Sequence, residues 1–93
     1  MEGVLFERQP LRHTPAGLPV IEALIVHRSE QIEAGQSRKV ECEVQIIVLG
    51  KSAEAFSLIE AGEKVAIHGF LAAKSMRRRQ DIVLHIEEFE LLN

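Results

Sequence analysis

Val40-Glu41-Cys42-Glu43-Val44-Gln45-Ile46-Ile47-Val48 is the stretch on which the fold turns. Val40, Cys42, Val44, Ile46 and Val48 fall on one face of an extended chain, and Glu41, Glu43 and Gln45 on the other. Alternation with period two marks a strand with one buried and one wet face. Ile47 breaks the polar side, so the strand's end is expected to be covered on both faces. Cys42 is the only cysteine. It cannot form an intrachain disulfide, no Cys/His cluster has zinc spacing, and it reads as a reduced, buried core thiol.

Working backwards, Val4 to Arg12 and Leu18 to Ser29 are two further strand candidates. Between them His13-Thr14-Pro15-Ala16-Gly17 has turn chemistry, which predicts an antiparallel hairpin. Pro10 marks an edge or bulge in the first run. Glu30 to Ser37 reads as a mobile polar loop. Working forwards, Gly50 closes the central strand. Lys51 to Glu60 reads as a short helix whose Phe56 and Ile59 cap one end of a barrel. After the turn Ala61-Gly62-Glu63, a fourth strand is expected, with Val65, Ile67 and Leu71 on one face. Gly69 within it predicts a bend or a close backbone approach. Ile82, Leu84 and Ile86 make a fifth strand.

Three strands, a short helix and two strands is the layout of an all-β, five-stranded OB-fold Greek-key barrel with the helix between strands three and four. The 93 residues bound it to a single domain, 1–93. A domain this small buries only about 60–65% of its unfolded surface, which makes pairing with a second copy attractive. Hydrophobic residues are 46% and charged residues 27%, so disorder is not expected. No apolar run approaches the ~20 residues of a membrane span, and Met1-Glu2-Gly3-Val4 does not read as a signal peptide, which points to the cytoplasm.

OB-folds bind nucleic acids across strands two and three and through the loops joining strands one to two and four to five. Lys74-Ser75-Met76-Arg77-Arg78-Arg79 falls on the latter, with four cations and no acid. Guanidinium groups donate paired hydrogen bonds to phosphate and stack on bases. The plainer reading is a hairpin tip kept soluble by charge. Arg28, Arg38 and Lys39 flank the polar loop between strands two and three, and Arg12 and His13 open the first turn. Together they predict one cationic groove, with the acids elsewhere, at 54–63 and 87–90. The net charge of −3 argues against coating DNA by overall charge but not against a local patch. There is no Trp or Tyr. Phe70, on a strand face with Lys64 and Ala66, is a candidate base-stacking platform. The dispersed histidines suggest no metal site. No catalytic triad, paired carboxylates or phosphate-binding glycine loop stands out, so a non-catalytic protein without cofactor is expected.

Pro10 to Pro19 resembles the first hairpin of the bacterial primosomal replication protein N (PriB) family. His27-Arg28-Ser29 followed by Gln31, Glu33, Ala34 and Gly35, then Gly69-Phe70-Leu71 and Val83-Leu84-His85, resemble it as well. The similarity covers nearly the whole chain, in order. It implies a homodimeric accessory protein of the replication-restart primosome that binds single-stranded DNA, the PriA helicase and other primosome proteins. It also implies DNA contacts at Arg28 and at the cations Lys74, Arg77, Arg78 and Arg79. The chain departs from the family pattern at Glu41, where a well-known member has a stacking tryptophan, and at Gln36, where it has a phenylalanine. These departures keep a second reading open, a protein-interaction adaptor with weak or vestigial DNA binding; an RNA-binding OB protein is a third. Family members usually begin several residues before the position of Met1, so a shortened first strand or a misassigned start is expected. The long acidic-tipped tail of the related single-stranded DNA-binding proteins is not expected.

Overall fold

A computed structural model describes residues 1–92. Six strands and one helix follow in the order β1 (Glu2–Arg8), β2 (Arg12–His13), β3 (Pro19–Glu33), β4 (Gln36–Leu49), α1 (Lys51–Phe56), β5 (Lys64–Ser75) and β6 (Arg78–Leu92). The expected first strand is split, which raises the count from five to six. Gln9, Pro10 and Leu11 separate β1 from β2, because proline has no N–H for a ladder. The Gln9 amide still donates to the Glu22 carbonyl at 2.8 Å, holding the segment beside β3.

β1 and β2 both pair antiparallel with β3, as the turn chemistry predicts. Thr14 anchors that turn. Its carbonyl accepts from the Gly17 amide at 2.8 Å and its Oγ1 from the Leu18 amide at 3.1 Å, with Gly17 at φ 87. Pairing runs from β1 through β3, β4, β6 and β5 back to β1, with β4–β6 parallel and the rest antiparallel. This closed ring is the OB-fold.

Leu5, Ile21, Ile25, Ile46, Val48, Val65 and Ile67 point into the ring and are buried. Ala53 and Phe56 of α1, with Ile59 just beyond it, are buried against them. Phe56 meets Phe89 edge-to-face at 5.1 Å. A six-residue helix is unstable alone. Full burial of Phe56, worth roughly 1.5–3 kcal/mol, helps hold it in place.

Three expectations are corrected. Glu30 to Ser37 is not a loop. Strand pairing continues to Glu33↔Gln36, and a two-residue turn with Ala34 at φ 52 and Gly35 at φ 79 closes the hairpin. Positive φ at both central residues is what a type I′ hairpin turn requires. The segment is polar because both faces of this two-stranded ribbon meet water. Cys42 is exposed, not buried. β4 touches β6 only at Ile46–Val48, so only Ile46 and Val48 of the alternating face are buried, and Cys42 lies out on the ribbon.

The third correction concerns β5–β6. Leu71 and Ile82 are exposed, while Val83 and Ile86 are buried. The register slips between His68 and Gly69, from His68↔Glu88 to Gly69↔Ile86, so Glu87 is an extra residue on β6. A bulge of this kind reverses which alternate residues face inward beyond it, so Ile86 and Phe89, three apart on either side of Glu87, both pack on the core. Ile82 lies past the last β4 contact at Leu84 and is uncovered, whereas Val83 is buried on the opposite face from Ile86. Gly69 permits the bulge, since a Cβ there would lie 1.7 Å from the His85 carbonyl oxygen. That is the close approach expected of this glycine.

Candidate nucleic-acid interface

Cross-strand register sets out the outer face of the β3–β4 ribbon. The pairs run Leu24↔Gln45, Val26↔Glu43, Arg28↔Glu41, Glu30↔Lys39 and Ile32↔Ser37 from the ring towards the tip. At one end, Phe6, Val26, Arg28, Glu41, Cys42 and Glu43 line a shallow depression. A neighbouring one shares Glu43 and runs past Leu24, Gln45 and Leu71 to Lys74 and Arg78. Lys74 also lines a third depression with Glu7, Gln9 and Glu22. These contacts make one continuous path from the β3–β4 face to the β5–β6 tip.

The cationic tract is the tip of that second hairpin. Lys74 is the last residue but one of β5, Arg77 is in the turn, and Arg78 and Arg79 begin β6. Ser75 Oγ accepts from the Arg78 amide at 3.2 Å, which tightens the turn. Arg77, Arg78 and Arg79 together line a small surface pocket with Gln80 and Asp81.

Acids are not kept away from these cations, contrary to expectation. Arg12 Nη2 lies 3.2 Å from Glu22, Arg28 Nε 3.2 Å from Glu41, Arg38 Nη1 2.9 Å from Glu33 and Arg78 Nε 2.9 Å from Asp81. Three of these pairs join residues opposite or near one another across strands, where sequence distance hid them, while Arg78 and Asp81 are three apart at the start of β6. The arginines are all exposed, with Glu22 and Asp81 half-buried, and a surface pair of this kind contributes about 0–1 kcal/mol; a phosphate can replace the carboxylate at little cost. His13, Lys39, Lys74, Arg77 and Arg79 have no ion pair among the described residues.

Arg12 joins the path through Glu22. Arg38 and Lys39 lie further out on the ribbon, near its tip. Phe70 is exposed but already occupied on one face, stacked on His85 with ring centroids 4.9 Å apart and planes at 6°. Sequence reasoning passed over Phe6, Leu24, Val26, Glu43 and Gln45. Phe6 had a signal, since it follows Leu5 directly, and two large apolar neighbours in one strand cannot both face the core.

Residues 1–88 match a family model described as "Another single-strand binding protein family". The chain is 38% identical over 78 residues to replication restart protein PriB of Bordetella pertussis, covering 84% of this chain and 72% of that one. The solved structure of PriB from Ralstonia solanacearum superposes with a TM-score of 0.88 at 30% identity, covering 100% of this chain and 96% of that one. The single-stranded DNA binding protein from Thermus aquaticus superposes at 0.78 and 26% identity, covering 99% of this chain and 48% of that one.

Proposed function

The chain belongs to the single-strand binding protein family and, within it, to the PriB replication restart proteins, and from that membership we propose that it is a non-catalytic accessory protein that binds single-stranded DNA during replication restart. The observation that carries the reading is the cationic hairpin tip, set at the end of a path along the β3–β4 face. Lys74, Arg77, Arg78 and Arg79 hold phosphates, Arg12, His13, Arg28, Arg38 and Lys39 extend the track, and Phe70 offers its free ring face to a base. The protein acts in the cytoplasm; no described helix is long and apolar enough to cross a membrane.

Phosphate contacts release counterions, so affinity falls with salt at a log–log slope of about −0.7 per contact on single strands. Anisotropy of labelled oligo-dT across a salt series tests this. The expected outcome is a steep profile for the wild type, flattened by roughly two units when Arg77, Arg78 and Arg79 become Ala. A flat wild-type profile, or no change in the triple variant, removes the role given to the tip.

The four Arg–carboxylate pairs favour a second reading. In it the chain is chiefly an adaptor, docking on the PriA helicase and other primosome proteins with weak DNA binding. Calorimetry against PriA separates the two, since the adaptor keeps its helicase affinity in the triple variant while DNA binding is absent throughout. A homodimer is part of either reading, because the core is small. Sedimentation at micromolar concentration is expected to give twice the 10.4 kDa chain mass; a monomer alone contradicts it.

A further inference from the structure

Phe6 is the residue by which β1 outruns its partner. The β1–β3 register steps from Leu5↔Ile25 to Glu7↔Leu24, so Phe6 has no partner of its own. Bulges re-aim side chains, and Phe6 is 60% exposed while Leu5 beside it is fully buried. A single exposed ring means little alone; its surroundings carry the argument. Phe6 and Val26 give their shared depression an apolar floor. On one side Arg28 and Glu41 neutralise each other at 3.2 Å. On the other stands Glu43, opposite Val26, with no ion pair among the described residues.

A flat apolar floor beside one uncommitted carboxylate suits a planar heterocycle with an N–H donor on its edge. It repels a phosphate. Cytosine, adenine and guanine carry an exocyclic amine, whereas thymine and uracil present a carbonyl oxygen where cytosine has its amine. Glu43 also lines the depression that leads to Lys74 and Arg78. A strand whose phosphates meet the hairpin tip therefore has a path along which a base reaches Phe6.

We infer that this depression is a nucleobase subsite in which the base stacks on Phe6 and its exocyclic amine donates to Glu43, so that the chain prefers cytosine to thymine. The inference rests on the single-stranded DNA binding proposed above. It also moves stacking away from the position of Glu41, which has no ring to offer, onto the bulge of the first strand.

The experiment compares labelled dC and dT oligomers of equal length by anisotropy at fixed salt, with F6A, F6L and E43Q alongside the wild type. Sedimentation of each protein is run in parallel. The wild type is expected to bind dC roughly fivefold or more tighter than dT. F6A weakens both roughly five- to tenfold, with the salt slope unchanged because stacking releases no counterions. F6L keeps apolar bulk but loses the flat ring face, so it shows the same loss should F6A fail to fold. E43Q brings dC and dT together, since an amide both accepts and donates. Equal or tighter binding of dT, or an unchanged ratio in E43Q, overturns the subsite. So does F6A or F6L with unchanged affinity, and a dimer that dissociates in them would identify a second copy as the occupant of this surface. Binding to neither oligomer overturns the single-stranded DNA reading and the subsite with it, whereas binding without base preference overturns the subsite alone.

Discussion

Arg28 and Glu41 face each other on the β3–β4 ladder, with side chains 72% and 66% exposed and 3.2 Å between charged atoms. Water and salt screen a pair at that exposure, so it adds little to stability. Its effect falls on binding, because a carboxylate already occupies the guanidinium that a phosphate needs. E41Q is expected to raise affinity for single-stranded DNA a few-fold and to steepen the log–log salt slope by about one contact, ~0.7. Its melting temperature should barely move, since surface changes of this kind stay within about 0.5 kcal/mol. A salt series on E41Q with an unchanged slope would show that Arg28 touches no phosphate. Arg28 was legible in the sequence as a cation near a hairpin. Its partner was not, because the two are thirteen positions apart in the chain and only the register brings them together. Cys42 was misread for a related reason: alternation reports which face a residue is on, not whether anything covers that face.

Among the elements, β5–β6 shows where periodicity stops being a guide. Gly69 was legible as a close approach, but its consequence for β6 was not. The extra Glu87 shifts the inward face beyond it, so that Ile86 and Phe89, three residues apart, both pack on the core in place of an even alternation. A bulge on one strand is decided by the backbone of the other, which a reading along the chain does not contain. G69A tests how strictly this is enforced. The added methyl would lie 1.7 Å from the His85 carbonyl oxygen and 2.8 Å from its carbon, both backbone atoms that no rotamer change can clear. Overpacking of this severity is expected to cost about 3 kcal/mol, which lowers the melting temperature of a domain this size by roughly 12–24 °C. Thermal unfolding followed by far-UV circular dichroism measures it; a shift under about 4 °C, which corresponds to ~1 kcal/mol, would mean that the bulge relaxes freely. The helix was more legible: α1 ends at Phe56, four residues short of the expectation, yet Phe56 and Ile59 cap the ring as read.

At the scale of the molecule, the order of strands and helix carried the closed ring, but not how far the hairpins reach beyond it. The radius of gyration is 14.3 Å, with extents of 49 × 37 × 18 Å, where a compact domain of this length has about 12 Å. The excess lies in two ribbons. β3–β4 continues past the last β1 contact at Val26, and β5–β6 past the last β4 contact at Leu84. Polar residues on both faces made the first ribbon look like a loop, although its backbone pairs down to the turn. Local stability should follow this division, because opening a two-stranded ribbon exposes little apolar surface, whereas opening the ring exposes the core. Amides of Ile21, Ile25, Ile46, Val48, Val65 and Ile67 are expected to exchange only through global unfolding. Those of Ser29–Glu33, Ser37–Glu41 and Lys74–Gln80 should exchange at least about a hundredfold faster, a gap of roughly 2.7 kcal/mol in opening free energy or more. Single-stranded DNA that lies along the path from Phe6 to Arg78 should slow the ribbon amides selectively and leave the ring amides little changed. Uniform protection without DNA would mean that the ribbons are braced by a second copy of the chain, and protection by DNA confined to the β5–β6 tip would shorten the interface to the cations alone.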